Sequence, residues 1–139
     1  MKYEYIDHTA DLKVRAYGKT LEEVFANVAI GGFDFLTPTS KVKKKIEKKL
    51  SITAKRIESL LYDFLEELLF LLDTEGFIIN SFMGMKIRQD NESCSLECTA
   101  VGDNYKNYPV KGDIKAVTYS EMEIKKEKDG FIVIVVLDI

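Results

Sequence analysis

The sequence predicts an α+β fold in which two amphipathic helices pack on one mixed β-sheet as a two-layer sandwich. Two observations lead to this class. Apolar residues recur at helical spacing in residues 21–36 and 56–75. Most other segments alternate apolar and polar residues, as half-buried strands do. With 139 residues, the chain is expected to form a single domain over residues 1–139.

Charge and hydropathy argue against two classes of protein. The net charge is −3, whereas proteins that bind nucleic acid through its phosphates usually carry a basic surplus. No stretch reaches the roughly 18 uninterrupted apolar residues of a membrane span. The first residues mix charges and lack the apolar core of a signal peptide. We therefore expect a cytoplasmic protein that is not bound to a membrane.

The first third of the chain predicts two strands and a helix. Residues 2–6 and 12–17 have strand character and are separated by the polar segment 7–11. Thr20 and Glu23 form the pattern of a capping box, which starts a helix. Gly31-Gly32 interrupts that helix, and each glycine should cost up to about 1 kcal/mol relative to alanine. We expect either a kink or a close packing contact there.

Residues 41–53 predict a strand with one strongly basic face. Such a face suits RNA binding, but edge strands also carry lysine to prevent unwanted pairing, and we favour the edge strand. The lysines concerned are Lys41, Lys43, Lys44, Lys45, Lys48 and Lys49.

The second helix, residues 56–75, carries a broad leucine-rich stripe and is followed by Gly76, which is placed to end it. Every later element has strand character. Residues 77–89 and 93–101 predict a hairpin, residues 114–125 a single alternating strand, and residues 131–137 a central strand that is apolar on both faces.

The usual catalytic constellations are absent from the sequence. It has one histidine and no glycine-rich phosphate loop or serine nucleophile elbow. Cys94 and Cys98 are about 13 Å apart along one predicted strand, too far for a disulfide, and two cysteines cannot complete a zinc site. An enzyme built on this chain would have to rely on carboxylates.

Two places concentrate carboxylates. Asp7 and Asp11 lie in the turn between the first two strands, and Asp138 lies beside the α-carboxylate of Ile139. A divalent cation bridging Asp11, Asp138 and Ile139 would neutralise their repulsion, and all-oxygen ligands favour hard ions such as Ca²⁺ or Mg²⁺. The alternative is that these residues are solvated turn and strand ends, with His8 a hydrogen-bonded turn residue.

Five blocks of the sequence, in order, resemble the archease family, and together they cover essentially the whole chain. The blocks are DHTAD at 7–11, YGKTLEEVF at 17–25, ESLLYDFLEELL at 58–69, KAVTY at 115–119 and LDI at 137–139.

The resemblance implies a two-layer fold that binds a divalent metal, often assigned as Ca²⁺, with Mg²⁺ and Mn²⁺ as alternatives. The ligands would be Asp11, Asp138 and Ile139, and His8 and Lys115 are candidates for functional or partner contacts. The chain departs from the family at Tyr108-Pro109, where family members often place a histidine before the proline.

Archeases are accessory factors of the RtcB-type RNA ligase, which joins 2′,3′-cyclic phosphate and 5′-hydroxyl ends in tRNA splicing. They promote guanylylation and multiple turnover of the ligase and are not enzymes themselves. The resemblance thus implies a ligase partner, an indirect association with tRNA, and compatibility with a homo-oligomer. The alternatives are a small carboxylate–metal phosphohydrolase and an RNA-binding or chaperone module.

Overall fold

The computed structural model describes residues 1–8 and 10–139, so Thr9 of the first motif lies outside the described residues. Within the described residues, neither helix is long and apolar enough to cross a membrane. The elements in chain order are β1 Tyr3–Ile6, β2 Asp11–Gly18, α1 Leu21–Asp34, β3 Ile46–Ala54, α2 Ile57–Glu75, β4 Phe77–Gln89, β5 Cys94–Asn104, β6 Ala116–Val117, β7 Glu123–Glu127 and β8 Gly130–Asp138.

The α+β class with two helices is confirmed, but the prediction of one mixed sheet is wrong. The strands form a five-stranded sheet, β1-β2-β8-β6 with β7 also on β8, and a three-stranded sheet, β3-β5-β4. All recorded pairings are antiparallel. The two sheets are separate because both sides of β5 are occupied by β3 and β4. In the other sheet, β8 pairs with β2 on one side and with β6 and β7 on the other. Alternation identifies a strand but not its neighbour.

Helix α1 begins as the capping box predicts. The Glu23 amide donates to the Thr20 hydroxyl at 3.1 Å. Gly31 is explained by close packing, because an added Cβ would lie 2.8 Å from Cγ of Tyr3 and 2.9 Å from Cγ1 of Val14. The helix can therefore approach β1 and β2 only with glycine at this position.

Helix α2 follows the sequence prediction, whereas β3, predicted from residue 41, begins only at Ile46. Gly76 ends α2 in the left-handed conformation, with φ of 70°. Strand β3 is an edge strand, and its Lys48 pairs with Glu75 of α2 at 2.5 Å. The edge position of β3 accounts for Lys48 and Lys49. The other four lysines precede the strand, namely Lys41, Lys43, Lys44 and Lys45.

The segment 114–125, predicted as one strand, is divided into β6 and β7. Val117 is opposite Leu137 and Glu123 is opposite Ile134, so this segment advances six residues while β8 advances three. The extra residues form a turn in which the Met122 amide donates to the Tyr119 carbonyl at 3.1 Å, and Glu121 adopts a φ of 54°. An apolar–polar alternation that continues across such a turn hides it from the sequence.

Strand β8 is central in its sheet, as its sequence predicts. Val133, Val135 and Leu137 join the core cluster shared by both helices and both sheets. On the opposite face, Val136 is only 1% exposed although it lies outside that cluster. Lys13 is opposite Val136 in the register. Its aliphatic stem, together with neighbouring strands, can cover this face while its charge stays at the surface.

Candidate functional site

The two aspartates predicted as metal ligands are brought together by strand register. Asp11 begins β2, Asp138 ends β8, and the two are direct Cα partners in the antiparallel pair. Directly opposite residues point to the same face, with Cβ atoms about 4.5–5.5 Å apart. Ile139 follows Asp138 immediately and is half-buried. The strand pairing thus brings Asp11 and Asp138 together from opposite ends of the chain, as the predicted site requires.

Lys115 adjoins the same corner through its main chain. Its amide donates to the carbonyl of Asp138 at 2.7 Å, and the next residue, Ala116, is opposite Asp138 in the register. The Lys115 side chain is exposed. The main-chain contact fixes the end of β8, while the ammonium group is available for contacts outside the protein.

His8 lies between two carboxylates. Its Nε2 is 2.6 Å from Oε2 of Glu121, and its Nδ1 is 3.5 Å from Oδ2 of Asp11. The second contact is close enough for an ion pair but lacks hydrogen-bond geometry, so buried Nδ1 has no hydrogen-bond partner among residues 1–8 and 10–139. In a neutral His8 that donates from Nε2 to Glu121, Nδ1 is an acceptor facing another acceptor. With that tautomer, no hydrogen bond joins His8 to Asp11.

Glu121 is a site residue that the sequence prediction did not identify as a candidate. Its Oε1 accepts from the Lys13 ammonium at 2.9 Å while its Oε2 contacts His8. These contacts, that with Lys13 first, hold the pKa of Glu121 below its usual value. The alternating pattern placed Glu121 on the polar face of a continuous strand, and only the turn between β6 and β7 brings it to His8.

Both non-glycine residues with positive φ in the described chain flank this corner. Ala10, with φ of 64°, precedes Asp11, and Glu121 has φ of 54°. This conformation costs an L-residue about 1–2 kcal/mol. Such strain persists only where surrounding contacts impose it, and it concentrates at functional sites.

The donor set at this corner fits a hard cation. Residues 1–8 and 10–139 contain no group of three or more His, Cys, Asp or Glu side chains placed to hold a metal ion. The predicted set differs from such a group because it combines two side chains, Asp11 and Asp138, with the α-carboxylate of Ile139. Asp11 and Asp138 are the residues of this set that the register brings together, and carboxylate oxygens are the ligands that hard cations prefer.

Tyr108, where the sequence departs from the motif that the resemblance led us to expect, lies in another part of the molecule. Its hydroxyl donates to Oδ2 of Asp103 at 2.7 Å and accepts from the Lys43 amide at 2.8 Å. These bonds tie the loop after β5 to the segment before β3. Tyr108 therefore stabilises the packing of these two segments.

Comparison with known proteins agrees with the sequence motifs. A family model described as "Archease protein family (MTH1598/TM1083)" matches residues 3–139. The chain belongs to the archease family. It is 41% identical over 140 aligned residues to protein archease of Methanosarcina barkeri, covering 99% of this chain and 96% of the relative. It is 40% identical over 131 residues to protein archease of Pyrococcus furiosus, covering 93% and 92%.

Two solved structures resemble the fold. The solution structure of Methanobacterium thermoautotrophicum protein 1598 has a TM-score of 0.83 and 38% identity, covering 99% of this chain and 98% of that one. The crystal structure of an archease of Thermotoga maritima, described as a possible chaperone, has a TM-score of 0.57 and 18% identity over 98% and 96%. The second likeness shows the archease fold alone.

Proposed function

We propose that this protein is a cytoplasmic activator of an RtcB-type RNA ligase and acts through a divalent metal held by Asp11, Asp138 and Ile139. Membership of the archease family supports the ligase as partner. The observation that carries the metal site is the direct opposition of Asp11 and Asp138 across β2 and β8. Ca²⁺ is the proposed ion, because oxygen ligands in an irregular arrangement suit it better than the strict octahedron of Mg²⁺.

The residues of this corner would perform distinct tasks. Asp11 and Asp138 provide negative charge on one face of the sheet, and the strand pairing holds them in position before any ligand binds. The Lys115 amide fixes the end of β8, and its exposed ammonium can contact a negatively charged group of the ligase or its nucleotide. A bound divalent cation would supply positive charge for coordinating phosphate oxygens.

Activation would be a shift in the populations of the ligase. A partner promotes guanylylation only if it binds the guanylylation-competent state, or the transition state, more tightly than the resting state. Asp11, Asp138 and Lys115 present carboxylate and ammonium groups near the end of β8, where a protein surface can reach them. Association with tRNA would follow through the ligase.

A guanylylation assay tests this function. The cognate ligase is incubated with GTP, Mn²⁺ and substoichiometric amounts of this protein, and guanylylated ligase and ligated RNA per enzyme are measured. Both should rise with the wild-type protein and remain at the basal level with Asp11→Asn or Asp138→Asn. Asp129→Asn, which removes a carboxylate from the exposed β7–β8 turn, is the matched control and should activate fully.

The same assay separates the activator from the alternatives. An unchanged ligase would contradict the proposal, and full activation by both aspartate variants would remove the metal site from it. Metal-dependent hydrolysis of phosphoesters without ligase would instead indicate an enzyme.

A further inference from the structure

The turn between β6 and β7 places the carboxylate of Glu121 beside the Asp11–Asp138 site. Glu121 uses its two oxygens separately, Oε1 for the ammonium of Lys13 at 2.9 Å and Oε2 for Nε2 of His8 at 2.6 Å. The His8 contact therefore fixes the carboxylate, and the fixed carboxylate holds the lysine. Neither partner is close to Glu121 in sequence, so these contacts exist only in the folded chain.

Lys13 is placed to compete with a cation for the two aspartates. It is two residues after Asp11 on β2 and therefore points to the same face. It is opposite Val136, which makes it the diagonal neighbour of Asp138. Diagonal neighbours are about 7–8 Å apart, within reach of a lysine side chain. A free Lys13 ammonium could thus neutralise the carboxylates from within the protein.

We propose that Glu121 is a positioning residue that keeps the Lys13 ammonium away from Asp11 and Asp138, so that these aspartates remain available to a divalent cation. This inference rests on the metal site in the proposed function, and it adds a residue and a task that the ligand set alone does not contain. Glu121 has no recorded contact with either aspartate among the described residues, and of its two contacts only Lys13 carries an ammonium that could occupy the aspartates in place of a cation.

The backbone supports a dedicated role for this turn. The chain inserts three additional residues between β6 and β7 and adopts a left-handed conformation at Glu121, although a continuous strand could pair with β8 without either feature. A left-handed glutamate is conformationally unfavourable. In this conformation the Glu121 carboxylate contacts both Lys13 and His8.

A double-mutant cycle with calcium titration tests the inference. Ca²⁺ affinity is measured by calorimetry for wild type, Glu121→Gln, Lys13→Met and the double variant. Glu121→Gln should weaken binding about tenfold, which is the lower end of losses seen when residues supporting metal ligands are removed. In the Lys13→Met background the same substitution should change affinity little, because no ammonium remains to be released. Glu123→Gln removes an equal charge from exposed β7 and should bind as wild type does.

The outcomes separate the inference from the proposed function. If wild type binds Ca²⁺ and Glu121→Gln binds equally well, Glu121 has no positioning role and the metal site stands. If the tenfold loss persists in the Lys13→Met background, Glu121 does not act through Lys13 and the inference is overturned. If wild type binds no divalent cation, both the inference and the metal site fail. Thermal melts in EDTA show whether each variant is folded.

Discussion

Asp11 and Asp138 are direct partners across the antiparallel pair of β2 and β8, at opposite ends of the chain. Like charges directly opposite each other destabilise a sheet. The pairing therefore has a cost in the absence of a cation, and a cation bound at the proposed site would offset that cost. This dual effect can be measured without the ligase.

Asp138→Asn should gain much less stability from calcium than wild type does. In EDTA the variant should be as stable as wild type or up to about 1 kcal/mol more stable, because one of two facing charges is gone. With Ca²⁺ at one hundred times its Kd, wild type should gain about 2.7 kcal/mol and the variant little. Urea unfolding with EDTA or Ca²⁺ measures both. An equal calcium response in the two proteins would contradict the site.

Gly31→Ala should destabilise the protein although alanine is the better helix former. Alanine contributes about 1 kcal/mol to an unconstrained helix. Here its methyl group would lie 2.8–2.9 Å from side-chain atoms of Tyr3 and Val14, and such overpacking typically costs about 1–3 kcal/mol. Chemical denaturation should show a net loss of up to about 2 kcal/mol.

Gly32→Ala provides the comparison for that variant. Its added methyl would meet only Cδ1 of Leu137 at 3.0 Å, the end of a flexible side chain. Gly32→Ala should lose less free energy of unfolding than Gly31→Ala. A Gly31→Ala protein more stable than wild type would contradict the packing explanation.

Asp103 should contribute to stability in a pH-dependent manner. Hydrogen bonds from Tyr108, the Asn104 amide and Asn107 lower the pKa of this carboxyl group. Its contribution is present above the ordinary aspartate pKa and is lost as pH falls through the lowered folded-state value. The difference in urea midpoint between wild type and Asp103→Asn should be largest at pH 7 and should shrink below about pH 4. A difference that does not vary with pH would show that ionisation of Asp103 is irrelevant to stability.

The two cysteines should be unreactive in the folded protein. Both are buried and unpaired with each other. Burial raises the pKa of the Cys98 thiol to about 11 and also raises that of Cys94. The reactive thiolate is therefore scarce at pH 8. A thiol reagent such as DTNB should label neither residue until guanidinium chloride unfolds the chain, when both should react. Rapid labelling of the native protein would show that the β5 strand opens readily.

Local elements were predictable because their causes are local. The Thr20 cap, the left-handed Gly76 and the leucine stripe of α2 each depend on residues within a few positions of one another. The edge position of β3 was also predicted correctly, although the strand holds only Lys48 and Lys49 of the predicted lysines. Alternation could not reveal the two separate sheets or the turn at Glu121, since it reports which face a residue occupies and not which strand lies beside it.

By itself, the sequence determined the α+β class, both helices, most strands and, through its ordered motifs, the archease family. Only the tertiary structure decided that Asp11 faces Asp138, that Lys13 is held by Glu121, and that Nδ1 of His8 lacks a hydrogen-bond partner in the described part of the chain. The physical reason is the distance along the chain. Propensity and periodicity act over one or two turns of helix or a few strand residues, whereas these contacts join segments whose register is fixed by packing of the entire core.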